Sequence, residues 1–118
     1  MTQKRNTLKV GIVQQRCTTD VAGNIAQLTT NIREVAAQGA ELVVLQELHN
    51  SVYFCQAEET SQFDLAEPIP GPSTEHFGAL AKELGIVLVT SLFERRAAGL
   101  YHNTAVVFEK DGSMAGKY

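Results

Sequence analysis

Two short apolar runs, separated by one helix-length amphipathic segment, constrain this chain more than anything else in it. Leu8 to Val13 reads LKVGIV and Leu42 to Leu45 reads LVVL. Between them Val21, Ile25, Leu28, Ile32 and Val35 recur at spacings of four, three, four and three. That spacing lays them along one face of a helix. Thr18 to Asp20 offers N-cap side chains before it, and Gly39 sits where a left-handed C-cap would end it. Two buried strands joined by a helix pair in parallel, because a tight turn cannot return the chain to the same end of the sheet. The expected fold class is therefore α/β.

From Gln46 to Pro72 no period is sustained, and PIPGP at residues 68–72 closes the stretch as a rigid turn. A loop of that length inside a small domain is usually functional or holds short irregular elements. Ser73 is expected to cap a second helix, with Phe77, Leu80, Ala81 and Leu84 on its apolar face and Gly85 as its stop. Ile86 to Phe93 (IVLVTSLF) reads as a third strand and Thr104 to Phe108 (TAVVF) as a fourth. Asp111-Gly112 makes a tight turn, and Ser113 to Tyr118 opens a fifth strand. No cap, helix or polar tail follows Tyr118, so residues 1–118 are expected to form one partial domain of a longer fold.

Composition excludes several function classes. With 118 residues, 44% hydrophobic and 19% charged, the chain is globular and has one core. Cys17 and Cys55 are too few for a disulfide framework and too far apart for a redox pair, so a reducing, cytoplasmic setting is expected. No run approaches the ~20 apolar residues of a membrane span, so no membrane partner is expected. No Lys or Arg lies between Glu34 and Ala81, a stretch that contains Glu41, Glu47, Glu58, Glu59, Asp64, Glu67 and Glu75. Nucleic acid is thereby excluded as a partner. An acidic segment attracts a small cation, or is simply a solvated loop.

Motifs for phosphate and metal are absent. GIVQQR lacks the GxGxxG spacing, and GSMAGKY is one residue short of a phosphate loop and opens no helix. His49, His76 and His102 are scattered without metal-ligand spacing, so neither metal nor cofactor is expected. Glu47 is different, because it lies just past a buried run. The carboxyl ends of parallel strands are where α/β folds bind ligands. Between Leu45 and Leu48 it would be partly desolvated, which suits a general base. A strand-end glutamate reaching solvent is the alternative. Cys55 has no basic neighbour in sequence to activate a thiol, and it reads, like Cys17, as a packed residue.

These pieces together resemble the N-terminal part of the nitrilase superfamily, the carbon–nitrogen hydrolases. The resemblance is carried by LKVGIVQQ, NIAQL, GAELVVLQEL, IVLVTSLFER and YHNTAVVFEKDGSMAGKY, in that order, over nearly all of the chain. LQELHNSVYFCQ is most similar to the branch that hydrolyses carbamoylated polyamines. The resemblance implies an α-β-β-α sandwich, of which this chain is the N-terminal half, and a Cys–Glu–Lys triad. Glu47 matches the family's general base. Lys117 matches the first lysine of a GKY-Arg-Lys motif whose second lysine is the triad member, two residues past Tyr118. The family's cysteine lies further on and matches neither Cys17 nor Cys55. His49, Asn50 and Tyr53 would contact substrate, a small cationic carbamoyl or amide compound, and the family commonly forms homo-oligomers. Glu94 would back the site or pair with Arg95 or Arg96, while His102 and Asn103 would order a loop before the fourth strand. A chain without the other triad members would be inactive by itself, associating with copies of itself or with another chain.

Overall fold

A computed structural model describes residues 6–52 and 60–118, with the side chains of residues 60–62 left aside. Its order is β1 (Val10–Val13), α1 (Val21–Ala37), β2 (Leu42–Leu45), a 3-10 helix (Thr60–Leu65), α2 (Pro72–Leu84), β3 (Val87–Ala97), β4 (Leu100–Phe108) and β5 (Met114–Lys117). The strands form one sheet in the order β1-β2-β3-β4-β5. β1 pairs with β2, and β2 with β3, in parallel; β3, β4 and β5 form an antiparallel meander. The expected α/β class and the parallel first pair are both present.

Helix boundaries follow local chemistry. Asp20 caps α1 by accepting from the Gly23 amide at 3.1 Å, and Gly39 beyond its end has φ 98°. The second cap differs from expectation. Gly71 is the N-cap and Pro72 the first helical residue, where a missing N–H costs nothing. The Thr74 hydroxyl accepts from the Gly71 amide at 2.7 Å. Ser73 therefore lies inside the helix, and its hydroxyl serves Glu67 instead.

Strand alternation divides the sheet into two unlike faces. Val13, Val43, Leu45, Leu88, Leu92, Val106 and Phe108 point toward Leu28 and Ile32 of α1 and Phe77, Leu80 and Ala81 of α2, and together they are the core. Arg33 of α1 pairs with Glu83 of α2 outside it. Among the described residues no α-helix covers the opposite face: Val10 and Ile12 are 47% and 73% exposed on it, while Phe63 of the 3-10 helix stacks there on Tyr101 beside Phe93. One sheet with one helix layer is half of a four-layer sandwich.

The third and fourth strands are longer than their apolar runs. Glu94 to Ala97 and Leu100 to Asn103 are polar, yet they continue the hairpin around Gly99, whose φ is 74°. Antiparallel pairing needs no apolar residues once the register is set by Leu88 to Leu92. His102 and Asn103 are consequently part of β4 and not of a loop before it.

Candidate functional site

The end of β2 is built by a tight turn. Leu48 has φ 48°, a left-handed conformation that costs a branched side chain about 1–2 kcal/mol. Such strain persists only where surroundings impose it. The Leu48 amide donates to Ser91 Oγ at 2.9 Å, and the Leu48 side chain is buried. The turn sends Glu47 the other way, so that its side chain is exposed. The desolvation expected from Leu45 and Leu48 is not found, because both leucines are buried and leave the carboxylate uncovered.

Glu47 is nevertheless held. Asn103 of β4 donates from Nδ2 to Glu47 Oε1 at 2.5 Å. The Ser91 hydroxyl of β3 contacts Asn103 Oδ1 at 3.3 Å. Three elements thus fix one carboxylate on the uncovered face, at the carboxyl end of the parallel strands. The sequence reading missed Asn103 as a partner. Strand parity could have found it, had β4 been extended to Leu100: Asn103 pairs with Phe93, which shares a face with Ser91.

The other residues expected at the site are placed differently. His49 is fully buried with its ring edge-on to Phe77 at 5.1 Å. It packs against the helix layer and is not brought to the Glu47 carboxylate. Burial pushes its pKa down to about 4. Asn50 donates to Ser73 Oγ at 2.8 Å, and its backbone carbonyl accepts from Asn24 Nδ2 at 3.0 Å. Asn50, Glu67, Ser91 and Phe93 line a cavity of about 30 Å³ beside Leu48. Tyr53, Cys55, Glu58 and Glu59 lie outside the described residues. Cys17 donates to the His49 carbonyl at 3.2 Å, and burial raises its pKa, as befits a packed thiol.

Glu94 is almost fully buried and carries charge. Arg96 Nη2 and Thr104 Oγ1 donate to its Oε1 at 2.9 and 2.8 Å, and Lys117 Nζ donates to Oε2 at 3.1 Å. Hydrogen bonding, chiefly from Arg96, holds its pKa down to about 2. The expected pairing with Arg96 is present, and Lys117 is a partner that the sequence reading did not foresee. Among the described residues no group of three or more His, Cys, Asp or Glu could hold a metal ion, and no helix is long and apolar enough to cross a membrane.

The family model for the carbon-nitrogen hydrolases matches residues 9–118. The chain belongs to the carbon–nitrogen hydrolase family. An N-carbamoylputrescine amidase of Solanum lycopersicum is 36% identical over 100% of this chain and 39% of its own length. The crystal structure of a carbon-nitrogen hydrolase from Helicobacter pylori superposes with a TM-score of 0.88 at 42% identity, covering 94% of this chain and 38% of that one. Saccharomyces cerevisiae Nit3, a member of the nitrilase superfamily, superposes at 0.79 with 27% identity, over 94% of this chain and 43% of that one. The chain thus spans about 39% of the length of the curated relative it matches. The fold is that of the nitrilase superfamily, and this hydrolase-family chain accounts for one sheet and one helix layer of it.

Proposed function

We propose that this chain supplies the general base, Glu47, of a carbon–nitrogen hydrolase acting on a small cationic carbamoyl or amide compound, with N-carbamoylputrescine the foremost candidate. The observation that carries the reading is the exposed Glu47 carboxylate, fixed by Asn103 on the uncovered face at the end of β2. A carboxylate that must take a proton from an incoming nucleophile has to be both reachable and immobile.

The register of β5 supports the same reading. Lys117 pairs with Val106, and Tyr118 exchanges both backbone hydrogen bonds with Ala105. Continuing that ladder sets the second residue past Tyr118 opposite Asn103. Opposed residues share a face. The family's lysine would therefore stand on the same face as Glu47, next to the residue that holds it.

In the complete protein Glu47 would take the proton of the family's cysteine. The thiolate would attack the carbamoyl carbon, and the lysine would stabilise the oxyanion. Glu47 would return the proton to the departing amine nitrogen and then take one from the water that hydrolyses the carbamoyl-cysteine, releasing carbamic acid, which breaks down to carbon dioxide and ammonia. For N-carbamoylputrescine the products are putrescine, carbon dioxide and ammonia. The test is ammonia release from N-carbamoylputrescine by the complete protein and by Glu47→Gln. Loss of turnover in a folded variant is expected, and near-normal release by Glu47→Gln would reject Glu47 as the base.

The apolar uncovered face favours a second reading, in which a chain of this length associates with copies of itself or with another chain. Ile12 of β1 is 73% exposed on it. Light scattering on the 118-residue product tests this: a monodisperse monomer would count against it, and Ile12→Glu should reduce any assembly observed.

A further inference from the structure

Three aromatic side chains stand on the face that carries Asn103, the residue that holds Glu47. Phe93 of β3 pairs with Asn103, and Tyr101 of β4 pairs with Arg95. Strand parity puts Phe93, Tyr101 and Asn103 on one face. Phe63 of the 3-10 helix lies flat on Tyr101, with ring centroids 4.5 Å and planes 10° apart. Phe93 completes the group, 5.6 Å from Tyr101 and 6.2 Å from Phe63. The segment that carries Phe63 is fastened to β3 by Glu67. The Glu67 amide donates to the Phe93 carbonyl at 3.0 Å, and its carbonyl accepts from the Arg95 amide at 2.8 Å. The Glu67 carboxylate accepts in turn from the Ser73 amide and hydroxyl in the first turn of α2. The rings are thus preset, yet Phe63 remains 44% exposed.

Their place along the sheet points to a ligand. β1 and β2 end at Val13 and Leu45, whereas β3 runs on to Ala97. The rings lie along that extension, beyond the carboxyl ends of the parallel strands, the side on which α/β sheets take ligands. Opposed residues have Cβ atoms about 5 Å apart, and same-face neighbours along a strand are about 7 Å apart. The aromatic surface therefore begins one residue step from the side chain that holds Glu47. Arg95 is exposed on the same face, beside Tyr101. A cation there opposes an ammonium group resting on the rings and leaves them suited to an uncharged segment.

We infer that Phe63, Phe93 and Tyr101 form a specificity wall that receives the uncharged alkyl chain of the substrate while its carbamoyl or amide carbon lies at Glu47. The inference rests on the function proposed above and names the part of the substrate that this face reads.

The probes are n-alkylureas from methyl to butyl, used as competitive inhibitors of the complete protein. Turnover is read as putrescine formed from N-carbamoylputrescine, so that hydrolysis of the urea itself does not register. In the wild type each added methylene should tighten inhibition about fourfold. Phe63→Ala should flatten that gradient and raise KM on the order of tenfold with kcat little changed, because the wall touches the chain and not the reacting atoms. Phe63→Leu returns apolar bulk and should recover much of the gradient, and Tyr101→Phe keeps the ring and should retain it. A gradient unchanged in Phe63→Ala, accompanied only by a lower thermal midpoint, would show that the rings are packing and overturn the inference. Absence of inhibition by butylurea would overturn it as well, and so would loss of the gradient in Tyr101→Phe, which would assign recognition to the hydroxyl. With an active wild type and a dead Glu47→Gln, any of these three results sinks the inference alone. No turnover by the wild type, or equal turnover by wild type and Glu47→Gln, would overturn the functional reading, and the inference with it.

Discussion

Asn103 on β4 donates its side-chain amide to Glu47 at the end of β2, across 2.5 Å and 56 residues of sequence. The contact has a defined orientation. Ser91 Oγ accepts from the Leu48 amide and its hydroxyl lies against Asn103 Oδ1, leaving Nδ2 to face the carboxylate. A strand pair and a strained turn thus converge on one acidic side chain.

Asn103→Ala should free the Glu47 carboxylate while leaving the sheet intact. Losing a hydrogen bond to a charged group removes about 1.5–3 kcal/mol, so kcat of the complete protein should fall roughly tenfold to a hundredfold. Asn103→Asp should be worse, because it sets two carboxylates face to face. Steady-state ammonia release against a thermal melt of each variant checks this; an Asp variant as active as wild type would refute it.

Glu94 makes stability depend on acid. Its folded pKa is about 2 against an ordinary 4.5, with Arg96 as the leading cause. A depressed carboxylate pKa contributes stability that is fully present above the ordinary value and is lost as pH falls through the folded one. The contribution, on the order of 3 kcal/mol, should therefore disappear between about pH 5 and pH 2. Thermal midpoints of wild type and Glu94→Gln across that range should converge as pH drops. Parallel curves would show that Glu94 is not the group responsible.

His49 works in the same direction from the opposite charge. Burial lowers its pKa from 6.5 to about 4, so the unfolded chain binds a proton there before the folded one does. Stability should rise with pH between about 4 and 6.5 and level off above. His49→Phe keeps a ring against Phe77 and should flatten that part of the profile. Imidazole proton resonances should show one histidine titrating near 4; a midpoint near 6.5 for every histidine would contradict the burial.

Gly112 turns the chain between β4 and β5 with φ 86°, and a Cβ placed there would stand 2.7 Å from the Gly78 carbonyl oxygen. Gly112→Ala therefore combines a left-handed alanine, costing about 1–2 kcal/mol, with a backbone clash. Chemical denaturation should show a lower midpoint with an unchanged slope. A neutral result would mean that α2 and the turn can move apart freely.

The architecture was legible where one physical signal dominated. β2 falls on the LVVL run, and α1 falls between an aspartate cap and a glycine. Boundaries failed where tertiary pairing replaced local pattern. Glu94 to Ala97 and Leu100 to Asn103 carry no strand signal of their own, and they are strand because β3 and β4 hold each other in register. Ser73 resembles a cap in one dimension, but Gly71-Pro72 already starts the helix, and its hydroxyl is drawn to Glu67.

The candidate site divides in the same way. Glu47 could be singled out in sequence because it follows a buried strand and sits inside a family motif. His49 and Asn50 follow it closely, yet the turn at Leu48 buries His49 against Phe77 and directs Asn50 to Ser73. Sequence neighbours two residues apart were sent to different surroundings by one backbone angle.

Apolar period and cap chemistry by themselves determined the class of fold, the parallel start of the sheet and the prominence of Glu47, because these depend on residues close together in the chain. Only the tertiary structure decided that Asn103 holds Glu47 and that Lys117 reaches Glu94. Those pairs are 56 and 23 residues apart. Their meeting is set by strand register, which belongs to the whole sheet and to no single segment of sequence.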